Sequence, residues 1–147
     1  MSNVTINTMT KQECPMVYQI ARDVFSDPWS LQTYERLLTQ QESECICAYV
    51  EGIIVGYSCI QTLYETADLL QIAVSDSYRR RGIGKLLLME ALELAKKAGA
   101  REMLLEVREG NQQARALYDE MEFEILTIRK QYYTGPTENA VIMRKEF

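Results

Sequence analysis

The 147-residue chain contains no histidine. That excludes Ser-His-Asp and Cys-His catalysis and every histidine-ligated metal site. A general base must then be a carboxylate, a tyrosine, a lysine, a cysteine or a water. No apolar run approaches the roughly 18 residues a membrane span needs. The first nine residues carry no basic segment leading into an apolar one, so no signal peptide and no membrane partner are expected, and the expected location is cytoplasmic. Positive charge is in deficit, with a formal net charge of -5. Phosphate repels such a chain at long range, which argues against direct nucleic-acid binding. The cysteines are few (Cys14, Cys45, Cys47 and Cys59) and lack the paired spacing of a four-cysteine zinc site. They read as buried, reduced thiols, and no metal is expected.

The length suits one domain, residues 1–147, and the chain has no linker, repeat or low-complexity stretch. Val4 to Met9 alternates as a strand. Thr10-Lys11-Gln12-Glu13 has the form of a capping box and opens a helix towards Phe25. Ser30 can cap a short helix through about Leu38. Cys45 to Val50, Glu51-Gly52 and Ile53 to Thr62 read as a hairpin, and Ala67 to Val74 as a further strand. The clearest helix signal places Leu87, Leu88, Ala91, Leu94, Ala95 and Ala98 on one face, closed by Gly99. Glu102 to Val107 is a strand, and Asn111 can cap a helix bearing Ala114, Leu117, Tyr118 and Met121. Phe123 to Tyr133 and Asn139 to Arg144 are strands joined by the turn Thr134 to Thr137. The order is β, α, α, β, β, β, loop, α, β, α, β, β. It predicts an α/β (α+β) fold with a central, mostly antiparallel seven-stranded mixed sheet, one β-α-β crossover and flanking helices.

The stretch "SYRRRGIGK", residues 77–85, lies between a strand and a helix. The first turn of a helix has backbone N–H groups without internal partners and the positive end of the helix dipole, so it suits an anion. Gly82 and Gly84 let a phosphate approach the backbone. Known phosphate loops do not fit. A P-loop needs glycine where Arg79 stands and Ser or Thr where Leu86 stands. A dinucleotide fingerprint needs a third glycine where Leu87 stands. Exposed arginines at a helix start, with no ligand, fit the same residues.

The wider stretch "AVSDSYRRRGIGKLLLMEAL" resembles the acetyl-CoA loop of the GCN-five-related N-acetyltransferases (GNAT), Gln/Arg-x-x-Gly-x-Gly/Ala, with Arg79, Gly82 and Gly84 at the fixed positions. The resemblance implies a GNAT-like domain with acetyl-CoA as co-substrate. Coenzyme A would be bound by Arg79, Arg80, Arg81, Gly82, Ile83, Gly84 and Lys85. The backbone of Ile72, Ala73 and Val74 would pair with its pantetheine arm like an added strand. "LLEVREGNQQARALYDEMEF", "FSDPWS" and "IRKQYYTGPTENAVIM" narrow the likeness to the RimI-type branch. These enzymes acetylate the N-terminal alanine of the eighteenth small-subunit ribosomal protein. The implied partners are therefore coenzyme A and that N-terminal peptide. A small-molecule or lysine acetyltransferase, or a non-catalytic acyl-CoA binding module, remain the alternatives.

Acetyl transfer needs a deprotonated amine, a polarised thioester and a protonated leaving thiol. Glu106 resembles the family's proton acceptor, directly or through a water, if its strand and the one ending at Val74 splay apart. An α-amino group has a reference pKa of about 8, so its deprotonation at neutral pH is a small task. Glu106 would otherwise be a surface carboxylate paired with Arg108 on the same strand face. Tyr118 resembles the proton donor to the coenzyme A sulfur; a core tyrosine with a satisfied hydroxyl is the other reading. Asn111 fits both a helix cap and a coenzyme A contact. Trp29, Tyr132 and Tyr133 are candidates for the acceptor cleft, with core packing an equal prospect for Trp29. No cysteine has a base within sequence reach, which favours direct transfer over an acyl-enzyme. Glu122 stands where the family often has glycine, so strain is expected at that turn.

Overall fold

The computed structural model describes residues 3–147. Met1 and Ser2, the start of the nine-residue stretch expected to hold no signal peptide, lie outside them. The elements are β1 (Val4–Thr8), α1 (Cys14–Val24), α2 (Leu31–Leu37), β2 (Ser43–Val50), β3 (Ile53–Leu63), β4 (Thr66–Val74), α3 (Ile83–Lys97), β5 (Glu102–Arg108), α4 (Gln112–Glu120), β6 (Glu124–Tyr133) and β7 (Glu138–Glu146). Their order is the one the hydrophobic periodicity predicts. A 3-10 turn, Lys11–Glu13, leads into α1. There the Glu13 carboxylate accepts from the Thr10 N–H at 2.6 Å and the Thr10 hydroxyl at 2.7 Å. Ser30 caps α2 by accepting the Thr33 N–H at 3.2 Å. Glu51 and Gly52 take φ values of 51° and 77°. Both are left-handed, as a two-residue hairpin turn between β2 and β3 requires. Among the described residues no helix is long and apolar enough to cross a membrane.

The seven strands form one sheet in the order β1-β2-β3-β4-β5-β7-β6. Every neighbouring pair is antiparallel except β4 and β5, which are joined through α3. Two apolar layers cover the sheet. On one face Leu88, Ala91, Leu92 and Ala95 of α3 and Tyr118 of α4 pack on Met103, Leu105 and Val107 of β5. On the other, Val17, Ile20 and Ala21 of α1 and Tyr34 of α2 pack on Tyr57, Cys59 and Ala73. Two α3 positions differ from expectation. Leu92 is buried, while Ala98 is exposed. Ala98 is the helix C-cap, where the chain already turns away through Gly99. All four cysteines are buried and unpaired to one another. Burial pushes the Cys47 thiol up to about 12, so it is protonated and unreactive at neutral pH.

The feature that creates a site is the short reach of the parallel pair. β4 and β5 are in register only at Thr66↔Glu102, Ala67↔Met103 and Asp68↔Leu104. Just beyond, the β3–β4 register shifts between Cys59 and Ile60, leaving Leu70 unpaired. Such a bulge bends and twists its strand, carrying the rest of β4 away from β5. β5 meanwhile stays paired with β7 as far as Arg108↔Ala140. A V-shaped gap therefore opens in mid-sheet, with Leu69 to Val74 on one wall and Leu105 to Arg108 on the other.

Candidate active site

The cofactor-loop candidates lie together at the open end of β4. Arg80 and Gly82 both have left-handed φ, 64° and 77°. The first main-chain bond of α3 runs from the Leu86 N–H to the Gly82 carbonyl at 3.1 Å. Arg79 and Arg80 form a tight turn, which engages the Arg81 N–H. Among the described residues, the N–H groups of Arg80, Gly82, Ile83, Gly84 and Lys85 have no main-chain or side-chain acceptor. Free donors at a helix start form a polar concavity for an anion. Gly82 needs to be glycine for its φ, since a Cβ there would meet nothing within 4 Å. Gly84 would place a Cβ at 3.6 Å from Leu117, an ordinary contact, so packing does not demand a glycine there.

The charged side chains of the loop are not equivalent. Arg79 pairs with Asp76 at 3.2 Å and reaches the Val74 carbonyl at 3.4 Å. Lys85 pairs with Glu120 at 3.5 Å. Arg81 stacks over the Tyr78 ring at 4.8 Å. Arg79 thus ties the loop to the end of β4, where Ile72, Ala73 and Val74 pair with Ser58, Tyr57 and Gly56 on their β3 side only. Gly56 is forced by that packing, because a Cβ would lie 2.8 Å from the Ala73 carbonyl oxygen.

Across the gap, Met103, Leu105 and Val107 of β5 face α3 and α4. The alternate residues Leu104, Glu106 and Arg108 therefore face the α1–α2 side. Glu106 is exposed and makes no ion pair among the described residues. The Glu106–Arg108 pair of the alternative reading does not form. Arg108 instead pairs with Glu138 at 3.3 Å and stacks over the Tyr133 ring at 4.2 Å.

Tyr118 is 4% exposed and its ring packs on Phe123 at 5.8 Å. Its hydroxyl has no partner among the described residues. It is nevertheless not sealed in, since Ser58 Oγ is the buried side-chain polar atom left without a partner. Burial raises the Tyr118 phenol to about 12. Asn111 caps α4 by accepting the Ala114 N–H at 3.2 Å. The far end of α4 answers the question raised by Glu122, which takes a φ of 68°. The Glu122 N–H bonds the Asp119 carbonyl at 3.0 Å, and the Phe123 N–H bonds the Tyr118 carbonyl at 2.9 Å. This is a Schellman closure made without glycine, and it anchors the Tyr118 helix despite the strained turn.

The aromatic candidates stand on two separate walls. Trp29 is half-buried and packs on Tyr34 at 5.3 Å. Tyr132 is 48% exposed and meets Tyr133 at 5.2 Å and Arg129 at 5.5 Å. Burial, then the Glu106 charge, raise the Tyr133 phenol. A hydrogen-bonded triangle escaped the sequence reading. Tyr34 Oη and Tyr57 Oη lie 2.8 Å apart, and Gln71 Oε1 lies 2.7 and 2.8 Å from them respectively; the two hydroxyl protons fill two of these three contacts at a time, at least one of them to Gln71. The available signal was a lone glutamine in the otherwise apolar end of β4. A separate hollow of about 370 Å³, lined by Thr8, Glu35, Leu38 and Cys45 among others, contains none of the candidate residues.

A sheet split between its parallel strands, with an amide-rich loop at the split, is the frame that the acetyltransferase resemblance implies. Residues 14–123 match the family model described as "Acetyltransferase (GNAT) family". The chain belongs to that family and is an N-acetyltransferase. Among its relatives, the [ribosomal protein bS18]-alanine N-acetyltransferase of Escherichia coli (strain K12) is 33% identical over 146 residues, covering 95% of each chain. The Haemophilus influenzae protein of the same name is 37% identical over 131 residues, covering 86% of this chain and 88% of that one. The crystal structure of the ribosomal-protein-S18-alanine N-acetyltransferase from Escherichia coli superposes with a TM-score of 0.90 at 30% identity, over 98% of this chain and 94% of that one.

Proposed function

We propose that this protein is an acetyl-CoA-dependent N-α-acetyltransferase that modifies the N-terminal alanine of the eighteenth small-subunit ribosomal protein. The observation that carries the reading is the set of unpartnered N–H groups at Arg80 and Gly82 to Lys85, at the mouth of the gap that Glu106 faces. In this reading those amides, with Arg80 and Arg81, hold the diphosphate of coenzyme A. The free edge of Ile72, Ala73 and Val74 receives the pantetheine amides, and Asn111 adds a contact from the other wall. The thioester then lies in the gap. The acceptor amine enters from the α1–α2 side, between the Trp29 and Tyr132 walls. Such a substrate implies work in the cytoplasm.

Glu106 takes the proton of the ammonium group, directly or through a water. The freed lone pair attacks the thioester carbonyl carbon, the C–S bond then breaks as the amide forms, and the nitrogen sheds its second proton to solvent, from which Tyr118 is reprotonated after the thiol leaves. Tyr118 supplies a hydrogen bond to the departing sulfur. A phenol at about 12 holds its proton firmly. Full transfer to a thiolate with a pKa near 8.5 is then uphill by about 5 kcal/mol in the free enzyme. Tyr118 accordingly acts by hydrogen-bond donation to the developing charge, and transfers its proton only as that charge peaks. No covalent enzyme intermediate is needed, and the four thiols are buried.

The test is incubation with acetyl-CoA and a peptide panel: the ribosomal N-terminus, the same peptide with its α-amine blocked, and a lysine peptide. Acetylation of the first alone is expected. Glu106→Gln and Tyr118→Phe should each lower kcat by at least about 100-fold while still binding coenzyme A. Full turnover in both variants sinks the assigned chemistry, and acetylation of the lysine peptide in preference moves the substrate to the alternative class.

A further inference from the structure

Glu106 and Arg108 leave the same face of β5 roughly 7 Å apart along the strand. An arginine side chain spans that distance, and an unopposed guanidinium there would close on the Glu106 carboxylate. Arg108 is instead held by Glu138. One of its oxygens takes Arg108 Nη1 at 3.3 Å. The other accepts the Gly110 N–H at 2.6 Å. The Arg108–Glu138 pair is partly shielded, with side chains 31% and 25% exposed. Stacking on Tyr133 at 4.2 Å and a 3.5 Å contact to the Pro136 carbonyl complete the hold on Arg108. Position 110 is built around the carboxylate, because a Cβ there would lie 2.6 Å from Glu138 Oε2.

Other charged and titratable groups lie on this side of the sheet: α1 and α2 carry Arg22, stacked over Tyr18, with Asp23, Glu35 and Arg36, and Glu124 of β6 stands opposite Arg144. On β7, Arg144 contacts Glu102 at 3.9 Å and Glu146 at 3.6 Å. On β6, Arg129 lies over Tyr132, and Tyr133 lies under Arg108. On β4, Asp68 stands where the strands part, its carboxyl raised by burial and then by Glu102. From α2 and β3 come the buried hydroxyls of Tyr34 and Tyr57. Arg108 is therefore the cation on Glu106's own strand face, two residues away, and Glu138 is what occupies it.

We propose that Glu138 is a positioning residue which holds Arg108 away from Glu106 and so keeps Glu106 free to accept the amine proton. The inference rests on the proposed role of Glu106. Glu138→Gln keeps the side-chain volume and an oxygen for the Gly110 N–H, but drops the charge that holds Arg108. Arg108 then turns to Glu106, and a guanidinium within about 4–6 Å favours the ionised carboxylate. The acid limb of the pH profile of kcat/KM should move down by roughly one pH unit. Its plateau should fall on the order of 10-fold, because the base is weaker.

Adding Arg108→Gln to that variant removes the intruding cation and should restore the limb and most of the rate. A merely structural role for Glu138 predicts neither the shift nor the rescue. Glu138→Asp, which keeps the charge one methylene short, should shift the limb less and covers the case of a Gln variant that does not fold. A wild-type limb in Glu138→Gln, or a loss that Arg108→Gln fails to rescue, overturns the proposal. Glu106→Gln separates the two layers. If that variant stays active, the base assignment has failed. If it is inactive while Glu138→Gln keeps the wild-type profile, only the role of Glu138 has failed.

Discussion

Gly82 and Gly99 stand just outside the two ends of α3 and can be set against each other. Both are left-handed, with φ of 77° and 97°, and at neither would a Cβ meet an atom within 4 Å. Alanine at either position therefore costs about the same backbone strain, on the order of 1–2 kcal/mol. For a domain of this size that lowers Tm by roughly 2–8 °C. The two sites lie about 25 Å apart along the helix axis. Only Gly82 sits among the free N–H groups of the loop. A methyl there keeps a diphosphate from the amides and forfeits about one charge-assisted hydrogen bond, some 1.5–3 kcal/mol. Gly82→Ala should thus weaken coenzyme A binding by roughly 10- to 100-fold, and Gly99→Ala should leave it unchanged. Differential scanning calorimetry reads the matched loss of stability; isothermal titration with coenzyme A reads the split in affinity. Equal affinities in two equally destabilised variants would refute the anion-site argument.

Other expectations follow from strain, burial and charge. Glu122 pays for its left-handed φ of 68°, so Glu122→Gly should raise stability by about 0.5–1 kcal/mol, net of the entropy glycine adds to the unfolded chain; a lower Tm would show that the turn is unstrained. Ser58 Oγ is buried without a partner, and Ser58→Ala should stabilise by about 1 kcal/mol in denaturant unfolding. Burial raises Tyr34 and Tyr118 to about 12 and Tyr57 further still. Their folded values lie above the unfolded value near 10, so that stability is full below pH 10 and is lost as pH rises towards 12. Each tyrosine contributes a slope of about 1.4 kcal/mol per pH unit in that window. Tyr118→Phe should flatten the measured loss by that amount. Arg80→Glu with Arg81→Glu should weaken coenzyme A binding strongly at low ionic strength and much less in 0.5 M salt, as about 4 Å of screening length then remains.

Local physics made most of the molecule readable from its residues. Period-2 and period-3.6 patterns, the Thr10 and Ser30 caps, the Glu51-Gly52 turn and the glycines of the anion loop act within a few residues of one another, so the element order and the position of the loop could be read directly. The lack of histidine narrowed the candidate chemistry in the same direct way. What needed tertiary structure were the outcomes set by partners distant in the chain. The gap between β4 and β5 depends on a bulge at Leu70 in the pairing with β3. The same strand face offered Arg108 to Glu106, yet a carboxylate 30 residues further on took it. The Tyr34–Tyr57–Gln71 triangle joins a helix and two strands in the same way. Residue spacing determines which face a side chain leaves from. Which of several competing partners it finds there is decided by strand register and by charges brought in from elsewhere in the fold.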